Sequence, residues 1–210
     1  MNIKVILLDY LRHDYTERVM RVNRDRSQYP FEYIQVDRLG ISAAVNEGLR
    51  LAGDFDAVVI MGNDIEMPEG WLKSMVQYAE VIPQTGTIGI HTVEHTYGYK
   101  HVNGLPLYEV ACAFGNNFVP RKVIESVGGY NEDYDPYSNQ DHDFAYRVSK
   151  AGFINYYIPE LKADHLGHDV GQDSDYRRMK DEGLKKGHEK LTYWFDWYEK
   201  NGVYLPYAKA

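Results

Sequence analysis

The chain has 210 residues, 44% of them hydrophobic, and a formal net charge of −8. That length carries a full core, the apolar share argues against disorder, and the acidic balance argues against an extended nucleic-acid groove. The single cysteine, Cys112, excludes an internal disulfide framework and a cysteine-based zinc site.

Ile3 to Leu8 is an apolar run that predicts a buried first strand. It is too short to span a membrane and lacks signal-peptide flanks, so a cytoplasmic protein with no transmembrane segment is expected. Tyr15 to Asn23 predicts a helix and Phe31 to Val36 a second strand. Ser42 stands as the cap of a helix on which Val45, Leu49 and Ala52 share a face, with Gly53 just past its end. Ala57 to Met61 is an unbroken apolar run, as in a strand buried on both faces. It stops at Gly62-Asn63-Asp64, which puts a carboxylate at the carboxyl end of a central strand, where open α/β sheets bind ligands.

Pro68 to Glu80 predicts the next helix and Thr87 to Ile90 a fourth strand. Val93 to Pro106, rich in Gly, His, Tyr and Asn, predicts a functional loop or hairpin. Glu109 to Val119 follows as a strand region, and Pro120 to Val127 as a short helix ended by Gly128-Gly129. Asp141 to Ala151 is a further helix, closed by Gly152, and Tyr156 to Pro159 is strand-like. The alternation predicts an α/β fold, a three-layer α/β/α sandwich with a mostly parallel central sheet.

Several motifs line up in order along these elements. They are the turn Asp9-Tyr10-Leu11-Arg12, the stretch Gly40-Ile41-Ser42-Ala43-Ala44-Val45-Asn46-Glu47-Gly48, the corner Gly62-Asn63-Asp64, and the turn Gly128-Gly129-Tyr130-Asn131-Glu132. Last comes Gln140-Asp141-His142-Asp143 with Arg147, Ala151 and Gly152. Together they resemble the nucleotide-sugar-dependent family 2 glycosyltransferases of the GT-A fold, over about Ile3 to His168. The chain departs from the family pattern at three points: Leu11 replaces an Asn, Gly62 the first Asp of Asp-x-Asp, and Gln140 a Glu.

The resemblance implies one GT-A domain over residues 1–210. Residues 1–62 would be the nucleotide-binding half, 63–170 the metal and acceptor half, and 171–210 a C-terminal helical extension. It implies an inverting transferase that moves a sugar from a nucleotide-diphosphate sugar donor to a glycan or other hydroxyl-bearing acceptor. Tyr10, Arg12, Asp37, Asn46 and Asn63 fall to the donor nucleotide. Asp64 falls to a Mn²⁺ or Mg²⁺ ion, with His165 or His168 as the imidazole ligand and His165 preferred. Asp141 falls to the general base.

The chemistry needs these residue types. Breaking the bond to the donor diphosphate develops negative charge that a divalent cation stabilises, and oxygen with imidazole donors suits Mn²⁺. Inversion needs a carboxylate to take the acceptor proton. The helix dipole and Asp143 act on Asp141 in opposite senses, so no net pKa shift is expected there. Each residue also has a plainer use. Asp64 can be a turn-former, and Asp141 and Asp143 can complement a helix start that Ser138 caps. Tyr193, Trp194, Phe195, Trp197 and Tyr198 are expected to clamp the last helix to the domain, with an oligomer or membrane-surface contact as the other use of that face.

Two other activities share parts of the pattern. A sugar-1-phosphate nucleotidyltransferase would need a glycine-rich loop with Arg or Lys after the first strand, which the chain lacks. A non-catalytic nucleotide-sugar or glycan-binding module would have no use for Asp141.

Overall fold

Two apolar runs at the middle of the sheet organise the molecule. In the computed structural model, which describes residues 1–9, 13–37, 40–92, 100–166 and 175–206, β1 (Ile3–Leu8) pairs in parallel with β3 (Ala57–Gly62). Successive side chains on a strand point to opposite faces. Val5, Leu7, Val59 and Met61 therefore enter one core cluster, while Ile6, Val58 and Ile60 enter a second. Val19 of α1 (His13–Arg26) and Trp71, Leu72 and Met75 of α3 (Trp71–Val81) belong to the first cluster. Residues of α2 (Ile41–Leu51), α4 (Arg121–Val127) and α5 (Gln140–Lys150) belong to the second. Each fully buried large apolar side chain contributes about 1.5–3 kcal/mol, so both faces of the sheet stabilise the fold.

The remaining strands are β2 (Glu32–Val36), β4 (Ile65–Glu66), β5 (Thr85–His91), β6 (Lys100–Val102), β7 (Leu105–Glu109), β8 (Asn116–Pro120), β9 (Ile154–Lys162) and β10 (Asp164–His165). The main sheet has eight strands in the order β2-β1-β3-β8-β5-β9-β7-β6. β8 is antiparallel to β3 and β5, and β7 is antiparallel to β9 and β6; the other pairs are parallel. Six strands thus run one way and two run back. β4 and β10 form a separate two-stranded antiparallel ribbon. α6 (Asp175–Asn201) closes the described chain, and no helix among the described residues is long and apolar enough to cross a membrane.

The structure corrects four local expectations. The stretch from Glu109 to Val119 is not one strand. β7 ends at Glu109 near the far edge of the sheet and β8 begins at Asn116 between β3 and β5, so residues 110–115 must cross between them. Helix α3 begins at Trp71, not Pro68, because Gly70 takes a left-handed conformation that breaks the turn before it. Ser42 is not the cap of α2. Gly40 holds that position, and the Asp135 carboxylate accepts from Ser42 N at 2.8 Å and Ala43 N at 3.0 Å. A carboxylate there complements the helix dipole, so α2 is capped from across the fold. Ser138 does not cap α5 either. Its hydroxyl donates to Gly183 O in α6 at 3.0 Å, and Asn139 is the N-cap.

The α6 aromatics divide. Tyr198 is buried and Phe195 stacks on Tyr146 of α5 at 3.8 Å between ring centroids, whereas Tyr193 is exposed.

Candidate active site

The carboxyl ends of β1, β2 and β3 lie side by side, and each ends in a polar residue. Asp9 follows β1 and is buried. Its carboxylate accepts from Thr16 Oγ1 at 2.6 Å, from Asn63 Nδ2 at 2.8 Å and from Gln35 Nε2. Asp9 N donates to Val36 O at 2.9 Å, and Asn63 N to Leu8 O at 3.2 Å. Asn63 is therefore a buried tie between β1, α1 and β3. Asp37, just past β2, is exposed at this same edge. Asn46 lies elsewhere. It is buried on α2, accepts from Tyr130 N at 2.8 Å, and donates to Tyr130 O and Glu132 Oε1 at 2.9 Å each. Its amide joins α2 to the turn after Gly128-Gly129. Tyr10, Arg12 and His168 lie outside the described residues.

Asp64 and His165 meet across the β4–β10 ribbon. His165 pairs with Ile65 in that ribbon, Leu166 N donates to Asp64 O at 2.8 Å, and His165 Nε2 stands 3.0 Å from Asp64 Oδ2. The two side chains keep 25% and 34% of their surface exposed, enough for a ligand to reach both. The carboxylate folds back over Gly62, where a Cβ would stand 2.9 Å from Asp64 Oδ1. A side chain at position 62 would make the Asp64 carboxylate shift. Two ligands of one small octahedral cation at about 2.1 Å stand about 3 Å apart, so an oxygen and an imidazole nitrogen at this spacing fit Mn²⁺ or Mg²⁺. Among the described residues no group of three or more His, Cys, Asp or Glu is arranged for a metal ion.

Asp141 sits in the first turn of α5, partly buried, with Tyr130 Oη 3.5 Å from its Oδ1. Burial pushes its pKa up to about 6, against the weaker pull of the Tyr130 hydroxyl. This overturns the expected cancellation: desolvation outweighs the dipole, and Asp143 is not a free like charge. Asp143 is fully buried, and its Oδ2 accepts from Arg147 Nε at 2.9 Å and its Oδ1 from Tyr198 Oη at 2.9 Å. Arg147 is also fully buried and donates to Val127 O at 2.7 Å and Gly129 O at 2.8 Å. Asp143 thus braces the helix, whereas Asp141 keeps part of its surface exposed. Burial, with the Asp141 charge added, drives the Cys112 thiol far up, so Cys112 is not a nucleophile. Burial lowers the His142 pKa, which keeps that ring neutral at pH 7.

Sequence reasoning missed the cluster around Asp9, although a first polar residue after an apolar strand was its signal. It also missed the neighbours of Asp141, Tyr130 and Cys112, which no spacing marks.

The model of glycosyl transferase family 2 matches residues 1–129. The chain belongs to that family. It is a glycosyltransferase, and its fold is GT-A. The matched span holds Asp9, Asn63 and Asp64 of this family 2 chain, while Asp141 and His165 lie beyond it. No curated protein matches the chain in sequence. Three solved structures share the fold. One is Drosophila β1,4-galactosyltransferase 7, a mutant in complex with manganese, UDP-Gal and xylobiose: TM-score 0.60 and 13% identity over 86% of this chain and 75% of that one. The second is GalNAc-T7 with UDP, GalNAc and Mn²⁺, at 0.69 and 10%, covering 100% of this chain and 52% of that one. The third is a mannosyltransferase from Pyrobaculum calidifontis with GDP-Man and Mn²⁺, at 0.61 and 16%, covering 81% and 58%. The family 2 chain thus spans little more than half the length of two of these neighbours.

Proposed function

We propose that this glycosyltransferase is metal-dependent and inverting, moving a sugar from a nucleotide-diphosphate sugar to an acceptor hydroxyl. The observation that carries the proposal is the Asp64–His165 pair at 3.0 Å, beside the carboxyl ends of the parallel strands. Asp64 and His165 would hold the cation, and the donor diphosphate and water would fill the other positions. A bound Mn²⁺ or Mg²⁺ supplies Lewis-acid stabilisation of the departing diphosphate. That three fold neighbours were solved with nucleotide sugars or nucleotide and manganese supports the choice of ligands. Asp37 and Asn63 lie at the strand edge where the nucleotide would be bound. A cytoplasmic location belongs to the same proposal.

Asp141 would take the proton of the acceptor hydroxyl as its oxygen attacks the anomeric carbon opposite the diphosphate. A carboxylate with a pKa of about 6 is a stronger base than an ordinary aspartate and is still ionised at neutral pH.

Calorimetric titration of UDP and GDP, each with Mn²⁺, Mg²⁺ and no metal, tests the donor site. One nucleoside diphosphate should bind in a metal-dependent way. Binding equal with and without metal would remove the cation from the proposal, and an anomeric configuration retained in the product would remove the single displacement.

A further inference from the structure

Residues 110–115 carry the chain from β7 to β8, and three consecutive backbone groups of that crossing are held by three different strands. Asn117 Nδ2 of β8 donates to Ala113 O at 3.2 Å, Phe114 N donates to Tyr157 Oη of β9 at 2.8 Å, and Gly62 N of β3 donates to Gly115 O at 3.4 Å. Gly115, at φ 78°, takes a left-handed turn after Phe114 that glycine adopts without strain. Cys112 and Ala113 are buried, yet Phe114 is 45% exposed. A backbone pinned on both sides holds this ring out at a fixed place.

That place lies between the two parts of the candidate site. Gly115 is bonded to Gly62, two residues before Asp64, and the Phe114 ring meets the His142 ring edge-on, with 5.0 Å between centroids and 64° between planes. His142 follows Asp141 in the first turn of α5 and is itself exposed. The backbone of the crossing therefore touches the corner of Asp64, and its ring touches the turn of Asp141. Burying a phenylalanine side chain stabilises by about 1.5–3 kcal/mol, so a ring kept half in water retains part of that energy for a ligand.

We propose that Phe114, with His142 beside it, is the acceptor platform of this enzyme, and that the acceptor is a pyranose. The inference rests on the assignment of Asp141 as base and deepens that reading by naming the acceptor class. A pyranose has a face of C–H groups and a rim of hydroxyls. The C–H face packs on the electron-rich face of a phenyl ring. Rim hydroxyls pair with a neutral imidazole, which has one donor and one acceptor. Stacking fixes the plane of the sugar, so one hydroxyl is held toward Asp141 while the others turn away, and such orientation lowers the barrier to attack. A straight-chain polyol has no flat face for the ring to hold.

The test uses the full chain with UDP or GDP and Mg²⁺ present. The methyl pyranosides of glucose, galactose and mannose are the probes, and glycerol is the hydroxyl control. Saturation-transfer NMR reads binding and the face in contact. The wild type should bind at least one pyranoside more tightly than glycerol, with transfer strongest to the C–H protons of one ring face. Phe114→Ala should weaken that binding by roughly 5- to 50-fold, and Phe114→Tyr, which keeps the ring, should recover most of it. Diphosphate affinity by calorimetry and the melting temperature should stay near wild type in both variants. Unchanged pyranoside binding in Phe114→Ala overturns the inference. Equal loss of pyranoside and diphosphate binding, or a lowered melting temperature that accounts for the loss, assigns the ring to holding the crossing and overturns it too. A wild-type protein that binds a diphosphate but no pyranoside overturns the acceptor class and leaves the donor site standing. Pyranoside binding that depends on Phe114, in a protein that binds neither diphosphate, overturns the donor site and leaves the platform standing.

Discussion

Asp141 and Asp143 share one turn of α5, yet among the described residues only Asp143 has a cationic partner. Asp143 is fully buried against Arg147 and Tyr198, while Asp141 has one long contact to Tyr130 and a pKa raised to about 6. The same turn thus carries a brace and the proposed base.

The base predicts its own pH profile. With Asp141 protonated below pH about 6 and ionised above it, kcat/KM should rise through that value and level off toward neutral pH. Asp141→Asn should lower turnover by roughly 10²–10⁴ and leave donor affinity nearly unchanged, because the base acts in the transition state. Steady-state kinetics on both proteins across pH 5–8 checks this. Near-wild-type turnover in the variant would take Asp141 out of the mechanism.

The same residue should limit stability. In the unfolded chain an aspartate titrates near 3.9, and in the native state Asp141 titrates at about 6. Between these values the native state holds a proton that the unfolded state has lost, so stability falls as pH rises through that window and stays lower above it. Asp141→Asn should therefore gain roughly 1–3 kcal/mol at pH 7.5 and much less at pH 4. Denaturant unfolding at the two pH values reads the difference, and equal gains at both would reject burial as the cause.

Breaking the brace should act the other way. Arg147→Met strands a buried carboxylate and two backbone carbonyls, at a cost of about 3–5 kcal/mol. Asp143→Leu combined with Arg147→Met should recover part of that loss, since no unpaired charge remains. Urea midpoints of the single and double variants decide it; a double variant less stable than Arg147→Met alone would contradict the account.

At the proposed metal pair, Asp64→Ala and His165→Ala should each abolish Mn²⁺-dependent diphosphate binding with the far-UV spectrum intact. Calorimetry in Mn²⁺ is the measurement, and full binding in either variant would release that residue from the role.

Gly183→Ala should drive a methyl into Tyr137 O and lift α6, at a cost of about 1–3 kcal/mol with a matching loss of activity. Leu184→Ala, exposed on the same helix, should be close to neutral. Thermal melts of the two variants side by side provide the check.

Much of this was legible in the chain. The apolar run Ile3–Leu8, interrupted by Lys4, and the unbroken run Ala57–Met61 read as buried strands, and the corner at Asp64 follows from where the second run stops. Asp64, Asn63 and Asp37 stand at or just past the ends of strands, a position the sequence marks. What escaped depended on contacts between distant segments. Asp135 caps α2 from another part of the chain, which no local cap rule for Ser42 could reveal. Asp141 is raised by burial beside Tyr130, a residue distant from its helix turn, so neighbours in sequence point to the wrong balance for its pKa. The close seat of α6 on Tyr137 and Asn139 depends on Gly183 and Gly187, which no local rule marks as contact positions.

The β4–β10 ribbon has a consequence for synthesis. It joins Ile65 to His165, so the two members of the proposed metal pair are made a hundred residues apart. The strands β1, β2 and β3, which carry Asp9, Asp37 and Asn63 at their ends, are all synthesised before β10. Order of translation thus separates the making of that strand edge from assembly of the proposed metal pair, which has to wait for His165.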